Sequence, residues 1–227
     1  RINLFFIHTI TWLIFGTLWI GTKPCLASPS ATQIKKIVAS DGTLEDHYGK
    51  DVAIDGETVI IGALNEDPSG ISAAGSAYIY IYDGGNWTQQ KKLTASDPVT
   101  EDRFGSIVDI DGDYVVIGCN SGNTGGLNNA GKAYIFHRNQ GGADHWGLVK
   151  KLTAPTPAAD DLFGHWVAIE GDTVAIGAKF SDEAATDAGA VYVFAKDQGG
   201  ADNWGWVKTL TATDAAVDDR MYQVAID

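Results

Sequence analysis

The sequence predicts an all-β fold built from a repeated unit, and three observations lead to this class. Similar text recurs at Tyr48-Gly49, Phe104-Gly105 and Phe163-Gly164. Each copy continues into an Asp-Gly or Glu-Gly pair and a branched apolar run, and it ends in a Trp and a Lys-Lys-Leu-Thr-Ala-like segment. The 27 glycines and 6 prolines favour many short strands joined by tight turns. Such a unit cannot bury its apolar faces alone, so neighbouring copies must stack.

Each copy contains four short runs with strand character. In the second copy they are residues 104–110, 113–118, 132–137 and 146–154. Asp111-Gly112 separates the first two and predicts a hairpin, since both turn positions of an Asp-Gly turn favour positive φ. Val115-Val116-Ile117 is apolar at consecutive positions, which indicates a strand covered on both faces by stacked sheets. Four antiparallel strands per repeat predict a β-propeller blade.

We therefore expect three consecutive four-stranded blades over residues 44–212, with the aromatic-Gly strand innermost. Residues 32–40 match residues 88–96, the fourth strand of a blade, but no three strands precede them. A fourth copy begins near the C-terminus and has Asp219-Arg220-Met221-Tyr222 where the others have the aromatic-Gly pair. The prediction is three complete blades plus partial flanking blades, an open fragment of a larger ring that is incomplete at the C-terminus.

The first 28 residues predict a secretory signal peptide, followed by the propeller over residues 29–227. Residues 4–21 are largely apolar, and Cys25 and Ala27 are spaced like the −3 and −1 positions of a signal-peptidase site. The alternative is an uncleaved membrane anchor, since about 18 apolar residues can just span a bilayer. Cleavage would leave Cys119 as the only cysteine, which excludes an internal disulfide. We expect a secreted or cell-surface protein with no membrane insertion after cleavage.

The charge of the chain excludes nucleic acid as an expected partner. The formal net charge is −13, and since Arg1 and Lys23 are the only charged residues before Ser30, the remainder carries −15. Such a surface repels nucleic acid and anionic lipid, and it attracts cations or basic partners.

An aromatic-Gly pair followed at a fixed spacing by a Gly-Ala pair resembles the repeat of a known family. Tyr48-Gly49 is followed by Gly62-Ala63, and Phe163-Gly164 by Gly177-Ala178. This text resembles the FG-GAP repeat of integrin alpha-subunit propellers and, more closely, its bacterial secreted branch, over about residues 31–227. The second copy departs from it with Cys119 in place of the Ala. The resemblance implies a β-propeller but does not name a ligand, because these repeats serve many secreted and surface proteins.

Integrin-type blades imply calcium in the loop between the first two strands, and this sequence departs from that pattern. The corresponding loops are only Asp55-Gly56-Glu57, Asp111-Gly112-Asp113 and Glu170-Gly171-Asp172. They are too short to wrap a cation that takes 6–8 oxygen ligands. We expect no cofactor and no calcium in these turns, and calcium elsewhere stays open.

A second acidic feature precedes each aromatic-Gly pair. We call Glu45-Asp46, Glu101-Asp102 and Asp160-Asp161 the acid pairs; Asp218-Asp219 is their counterpart in the fourth copy. Because strands alternate in direction, the loop from strand four to strand one and the long loop from strand two to strand three open on the same face. One interpretation makes the acid pairs candidate ligands for a cation or a basic partner. The other makes them turn caps that also maintain solubility.

The tryptophans divide by repeat position. Trp87, Trp146 and Trp204 occupy the same place in successive copies, which indicates blade packing rather than a ligand cage. Trp166 and Trp206 break the repeat and are expected to be exposed.

No catalytic motif emerges from the sequence. The histidines fall at unrelated repeat positions, and neither a Gly-x-Ser-x-Gly nor a His-Glu-x-x-His segment occurs. The sequence therefore predicts a non-catalytic secreted or cell-surface module that binds a protein or glycan ligand or serves a structural role. The alternative is a propeller domain appended to a secreted enzyme whose catalytic part lies outside this sequence.

Overall fold

The computed structural model describes residues 35–226, so the predicted signal peptide lies outside the described residues. The chain divides into an N-terminal unit, Arg1–Lys36, and a compact unit, Ile37–Asp227, which contains every strand described below. Within residues 35–226, no helix has the length and apolar character needed to cross a membrane.

Twelve strands in the described part of the chain form three antiparallel sheets, each in sequence order. The first blade contains β1 (Tyr48–Asp55), β2 (Thr58–Ala63), β3 (Ser76–Tyr82) and β4 (Trp87–Leu93). The second contains β5 (Ile107–Asp111), β6 (Tyr114–Cys119), β7 (Lys132–His137) and β8 (Gly147–Leu152). The third contains β9 (Phe163–Glu170), β10 (Thr173–Ala178), β11 (Ala190–Ala195) and β12 (Gly205–Leu210). A short 3-10 helix, Pro68–Gly70, lies between β2 and β3. The predicted fold class is confirmed.

The cores lie between blades. β2 is buried at every residue, and β6 and β10 at all but their first, because apolar side chains alternate between two covered faces. One cluster joins blades 1 and 2 around Phe104, and a second joins blades 2 and 3 around Phe163. Each Phe ring packs 5.4 Å from a tyrosine of its own blade, Tyr134 or Tyr192.

The aromatic-Gly strand is innermost, as predicted. Asp51 of β1 accepts a hydrogen bond from the N–H of Val108 in β5 at 2.8 Å. Asp109 of β5 accepts one from the N–H of Ile169 in β9, also at 2.8 Å. These carboxylates join the first strands of consecutive blades, so β1, β5 and β9 lie next to one another where the blades meet.

The glycines of the repeat meet across the blade interface. A Cβ at Gly118 would lie 2.3 Å from the carbonyl oxygen of Gly164 in the next blade, and Gly62 stands in the same relation to Gly105. The aromatic-Gly pair of one blade therefore packs against the Gly-Ala or Gly-Cys pair of the preceding blade. Gly177 faces the carbonyl oxygen of Tyr222 in the same way. The fourth copy thus keeps the backbone path although its residues differ.

The hairpins differ from the prediction in one detail. Asp55 pairs with Thr58, so the two-residue loop is Gly56-Glu57 and the Asp is the last strand residue. Of the two loop residues, only Gly56 has a positive φ, 53°, and this is the pattern of a type II′ turn. The prediction that both positions of an Asp-Gly turn have positive φ is therefore wrong. The Asp carboxylate instead accepts the N–H of Gly112 in the next blade at 2.8 Å.

The segment before β1 lies where a preceding blade would end its fourth strand. Residues 35–39 form no strand, but Ile37 and Ala39 pack on a third apolar cluster. We call this the outer cluster of blade 1; its buried members are Val59, Ile61, Ala63, Tyr78 and Tyr80. Asp41 accepts the Tyr78 hydroxyl at 2.9 Å, as Asp97 accepts that of Tyr134 between blades 1 and 2. This placement agrees with the predicted partial flanking blade; residues 32–34 lie outside the described range.

Candidate functional site

Two sets of loops meet at one end of the blades, as predicted. The N–H of Glu101 donates to the carbonyl of Ser72 at 2.9 Å, and the N–H of Asp160 donates to that of Asn128 at 2.9 Å. Each bond joins a loop that enters a first strand to the long loop between the second and third strands of the preceding blade. We call this end the loop face; it comprises residues 39–47, 64–75, 94–106, 120–131, 153–165 and 179–189.

The two members of each acid pair have different environments. The first members are exposed and have a positive φ between 65° and 71°: Glu45, Glu101 and Asp160. The second members are buried, and each carboxylate accepts the N–H of the residue three positions earlier at 2.6–3.0 Å: Asp46, Asp102 and Asp161. The second members therefore cap their own loops, which is the turn-forming role in the second interpretation.

The acid pairs do not converge on a metal site in the structure. Among residues 35–226, no group of three or more His, Cys, Asp or Glu side chains is arranged to hold a metal ion. Affinity of the exposed first members for cations stays a prediction.

Asp102 belongs to a buried ionic network that the sequence did not reveal. Its carboxylate lies 3.0 Å from Nζ of Lys132, and both side chains are at most 1% exposed. Asp97 lies 3.5 Å from the same amine and also pairs with Lys151 at 2.8 Å. Partial burial opposes the charge of Asp97, but hydrogen bonds from Lys151 and Tyr134 outweigh it and lower the pKa of that carboxyl to about 2.

A comparison of the three copies of the repeat would have indicated this network. Ser76, Lys132 and Ala190 begin the third strand of successive blades, and only the second copy places a cation there. Asp161 therefore caps its loop without a lysine at this position. Burial, together with the nearby Asp182 and Glu183, raises the pKa of Asp161 to about 6.

A groove opens on the inner rim of the loop face. It has a volume of about 560 Å³ and takes its lining from all three blades and from Tyr222. A second cleft of about 570 Å³ adjoins it and shares Arg103, Asn120 and His165. The second cleft is rich in amides from the long loop of blade 2: Asn123, Asn128 and Asn129.

Two histidine–asparagine pairs line the groove. Nδ2 of Asn65 lies 3.2 Å from Nδ1 of His47, and Nδ2 of Asn120 lies 3.1 Å from Nδ1 of His165. An amide that donates to Nδ1 leaves the imidazole proton on Nε2. Burial and the charges of Lys179 and Lys50 lower the pKa of His165, so its ring is neutral at pH 7. In this arrangement each ring can present its Nε2–H as a hydrogen-bond donor.

The tryptophans follow their repeat positions only in part. Trp146 and Trp204 are 1% exposed, whereas Trp87 is partly buried in the outer cluster of blade 1. Trp206 is 47% exposed, as expected. Trp166 is partly buried rather than exposed, and it lines the groove.

The FG-GAP repeat family matches residues 31–80, 87–136 and 146–194, which together make up more than half of the sequence. The chain belongs to the FG-GAP repeat family. No curated protein is significantly similar to it.

Solved structures resemble this FG-GAP protein at low identity. The computationally designed Ika4 protein aligns with a TM-score of 0.48 and 12% identity over 85% of this chain and 87% of its own. Sqt1 of Saccharomyces cerevisiae aligns with a TM-score of 0.47 and 11% identity, over 76% of this chain and 38% of its own. A europium-containing methanol dehydrogenase aligns with a TM-score of 0.42 and 10% identity, over 70% of this chain and 24% of its own.

Proposed function

We propose that this FG-GAP protein is a non-catalytic binding module, secreted or at the cell surface, which holds a protein or glycan ligand on its loop face. The groove and the adjoining cleft support the proposal because they form a concave, polar surface that three blades build together. Binding sites are typically concave and contain a few converging polar groups.

The observation that carries this proposal is a contrast between repeat positions. Positions that maintain the fold keep their residue in each blade, such as the loop-capping Asp and the glycines that meet between blades. Positions that line the groove and the adjoining cleft vary. The residue after the capping Asp is His47, Arg103 or Leu162 in successive blades. Stacking of the blades places no common demand on these side chains, so they are free to serve a ligand.

The contacts of the groove histidines support a non-catalytic role. Both rings are paired with amides rather than with a hydroxyl or thiol that they could activate as a nucleophile. Burial raises the pKa of the Cys119 thiol, which lies in the core between blades 1 and 2. The alternative, a propeller domain joined to a secreted enzyme, requires catalytic residues outside this sequence.

Binding to a panel of immobilised glycans and extracellular proteins tests the proposal. The double variant Asn120→Ala/Asn128→Ala removes two amides from the groove and cleft. The control Gln140→Ala/Gln198→Ala removes two exposed amides from the opposite end of the blades. We expect the first variant to lose the ligand and the control to retain it. Equal loss in both, or no bound ligand at all, would contradict a loop-face binding module.

A further inference from the structure

We propose that the groove binds a glycan carrying acidic groups, either carboxylates or sulfates. The inference rests on the proposed function of the loop face and adds the chemical class of the ligand.

The groove concentrates unpaired positive charge. Lys50 and Arg103 line it, and Nζ of Lys179 lies 5.5 Å from the ring centroid of Tyr222, another lining residue. None of these three cations pairs with an acid among the residues that the structure describes. The chain carries −15 after Ser30, so the sign of this patch is opposite to that of the net charge. Its field attracts anions at close range although the whole molecule repels them.

The hydrogen-bonding groups of the groove favour a ligand rich in acceptors. Arg103 presents a planar guanidinium with five N–H donors, and His47 and His165 add Nε2–H donors because their Nδ1 atoms accept from amides. Asp51 is the one acid in the lining of the groove itself, and its carboxylate already accepts the N–H of Val108. The adjoining cleft contains one acid, the exposed Glu101. Carboxylate and sulfate oxygens are matched acceptors for such a donor set.

The surroundings of the cations favour a glycan over an acidic peptide. Asparagine amides of the second cleft both donate and accept hydrogen bonds, as sugar hydroxyls do. The partly buried rings of Trp166 and Tyr222 offer apolar surface for the C–H faces of sugars. A peptide that adds a strand needs free N–H groups at a sheet edge. In this protein the backbone N–H groups of Val108 and Ile169 are not free, because each already donates to an aspartate carboxylate of the preceding blade.

Isothermal titration of the full chain tests the inference with four polymers of similar length: polygalacturonate, dextran sulfate, neutral dextran and poly-glutamate. We expect heat from one or both acidic glycans, little from the other two, and weaker binding at high salt. The variant Lys50→Gln/Arg103→Gln should weaken binding by about tenfold or more. The control Lys91→Gln/Lys208→Gln removes the same charge from the outer strands β4 and β12 and should leave binding within about twofold.

Several outcomes would overturn the inference. Equal binding of neutral dextran would show that acidic groups are not recognised, and equal binding of poly-glutamate would identify an anion site without glycan selectivity. Equal losses of binding in both double variants would show that binding depends on the overall charge of the protein and not on the groove. If no acidic glycan binds while Asn120→Ala/Asn128→Ala still abolishes binding of a panel ligand, this inference fails and the proposed function stands. If the loop face binds nothing from the panel, both fail.

Discussion

Replacing Asp102 and Asp161 by Asn should change the stability of the protein in opposite directions at pH 7. The two residues occupy the same repeat position and cap equivalent loops. Asp102 has a buried lysine partner, whereas Asp161 has other carboxylates nearby and no lysine at the matching position. The same substitution therefore removes an attraction in one blade, and in the next it removes a charge that burial and the nearby carboxylates disfavour.

The loss at Asp102 follows from the burial of Lys132. Removing one partner of a buried ion pair costs about 3–5 kcal/mol because the other charge is left uncompensated. Asp97 still lies 3.5 Å from the Lys132 amine, so we expect a loss near the lower limit, about 3 kcal/mol.

The gain at Asp161 follows from its raised pKa. The folded pKa is about 6, whereas an aspartate in the unfolded chain has a pKa of about 4. The folded state therefore binds the proton more tightly, and stability falls as the pH rises from about 4 through about 6. A shift of about two pKa units corresponds to roughly 3 kcal/mol at pH 7. Asn keeps an acceptor for the N–H of Ala158, so Asp161→Asn should recover up to this amount.

Urea denaturation at pH 7 and pH 4 measures both effects. Asp102→Asn should lower the free energy of unfolding at pH 7, and Asp161→Asn should raise it. The gain at Asp161 should shrink markedly by pH 4. Glu101→Gln, at an exposed first member of an acid pair, is the control and should change stability by about 0.5 kcal/mol or less. Changes of the same sign at pH 7, or a gain independent of pH, would show that the two carboxylates do not contribute to stability in opposite directions.

Three further predictions concern packing, the repeat motif and the acid pairs. Trp146→Ala should cost about 3–5 kcal/mol because the side chain is 1% exposed, and Trp206→Ala much less; equal losses in thermal denaturation would contradict this. Gly118→Ala should cost about 3 kcal/mol or more, because its Cβ would meet the Gly164 carbonyl, whereas Gly85→Ala, with no atom closer than 3.7 Å, should be nearly neutral in urea unfolding. Neutralising all three acid pairs to Asn and Gln should abolish any calcium heat seen at low ionic strength; no heat from the wild type would leave the pairs as caps.

The strands were predictable from the sequence, but the roles of some turn residues were not. Consecutive apolar residues such as Val115-Val116-Ile117 indicated strands covered on both faces, and β6 is buried in this way. The Asp-Gly pairs located the hairpins but left the register open. Contacts between blades favour the observed register, since Asp55 and Asp111 bond to glycines of the next hairpin at 2.7–2.8 Å. A single repeat contains no information on such contacts.

The candidate site was predictable only as a face. Alternating strand direction placed the acid pairs and the long loops together, and Asp capping was one of the two interpretations. The groove was missed because His47 and His165 occupy different repeat positions, and only the stacking of blades brings both to one lining. Lys132 was missed because a lysine that begins a strand is normally exposed.

Hydrogen–deuterium exchange with and without the strongest-binding panel ligand tests most directly whether the loop face is the binding surface. We expect slower exchange over residues 99–106 and 120–131, whose loops build the groove and cleft. Exchange at the hairpin loops of the opposite end, residues 56–57 and 112–113, should stay unchanged. Protection confined to those hairpins, with none on the loop face, would contradict the account.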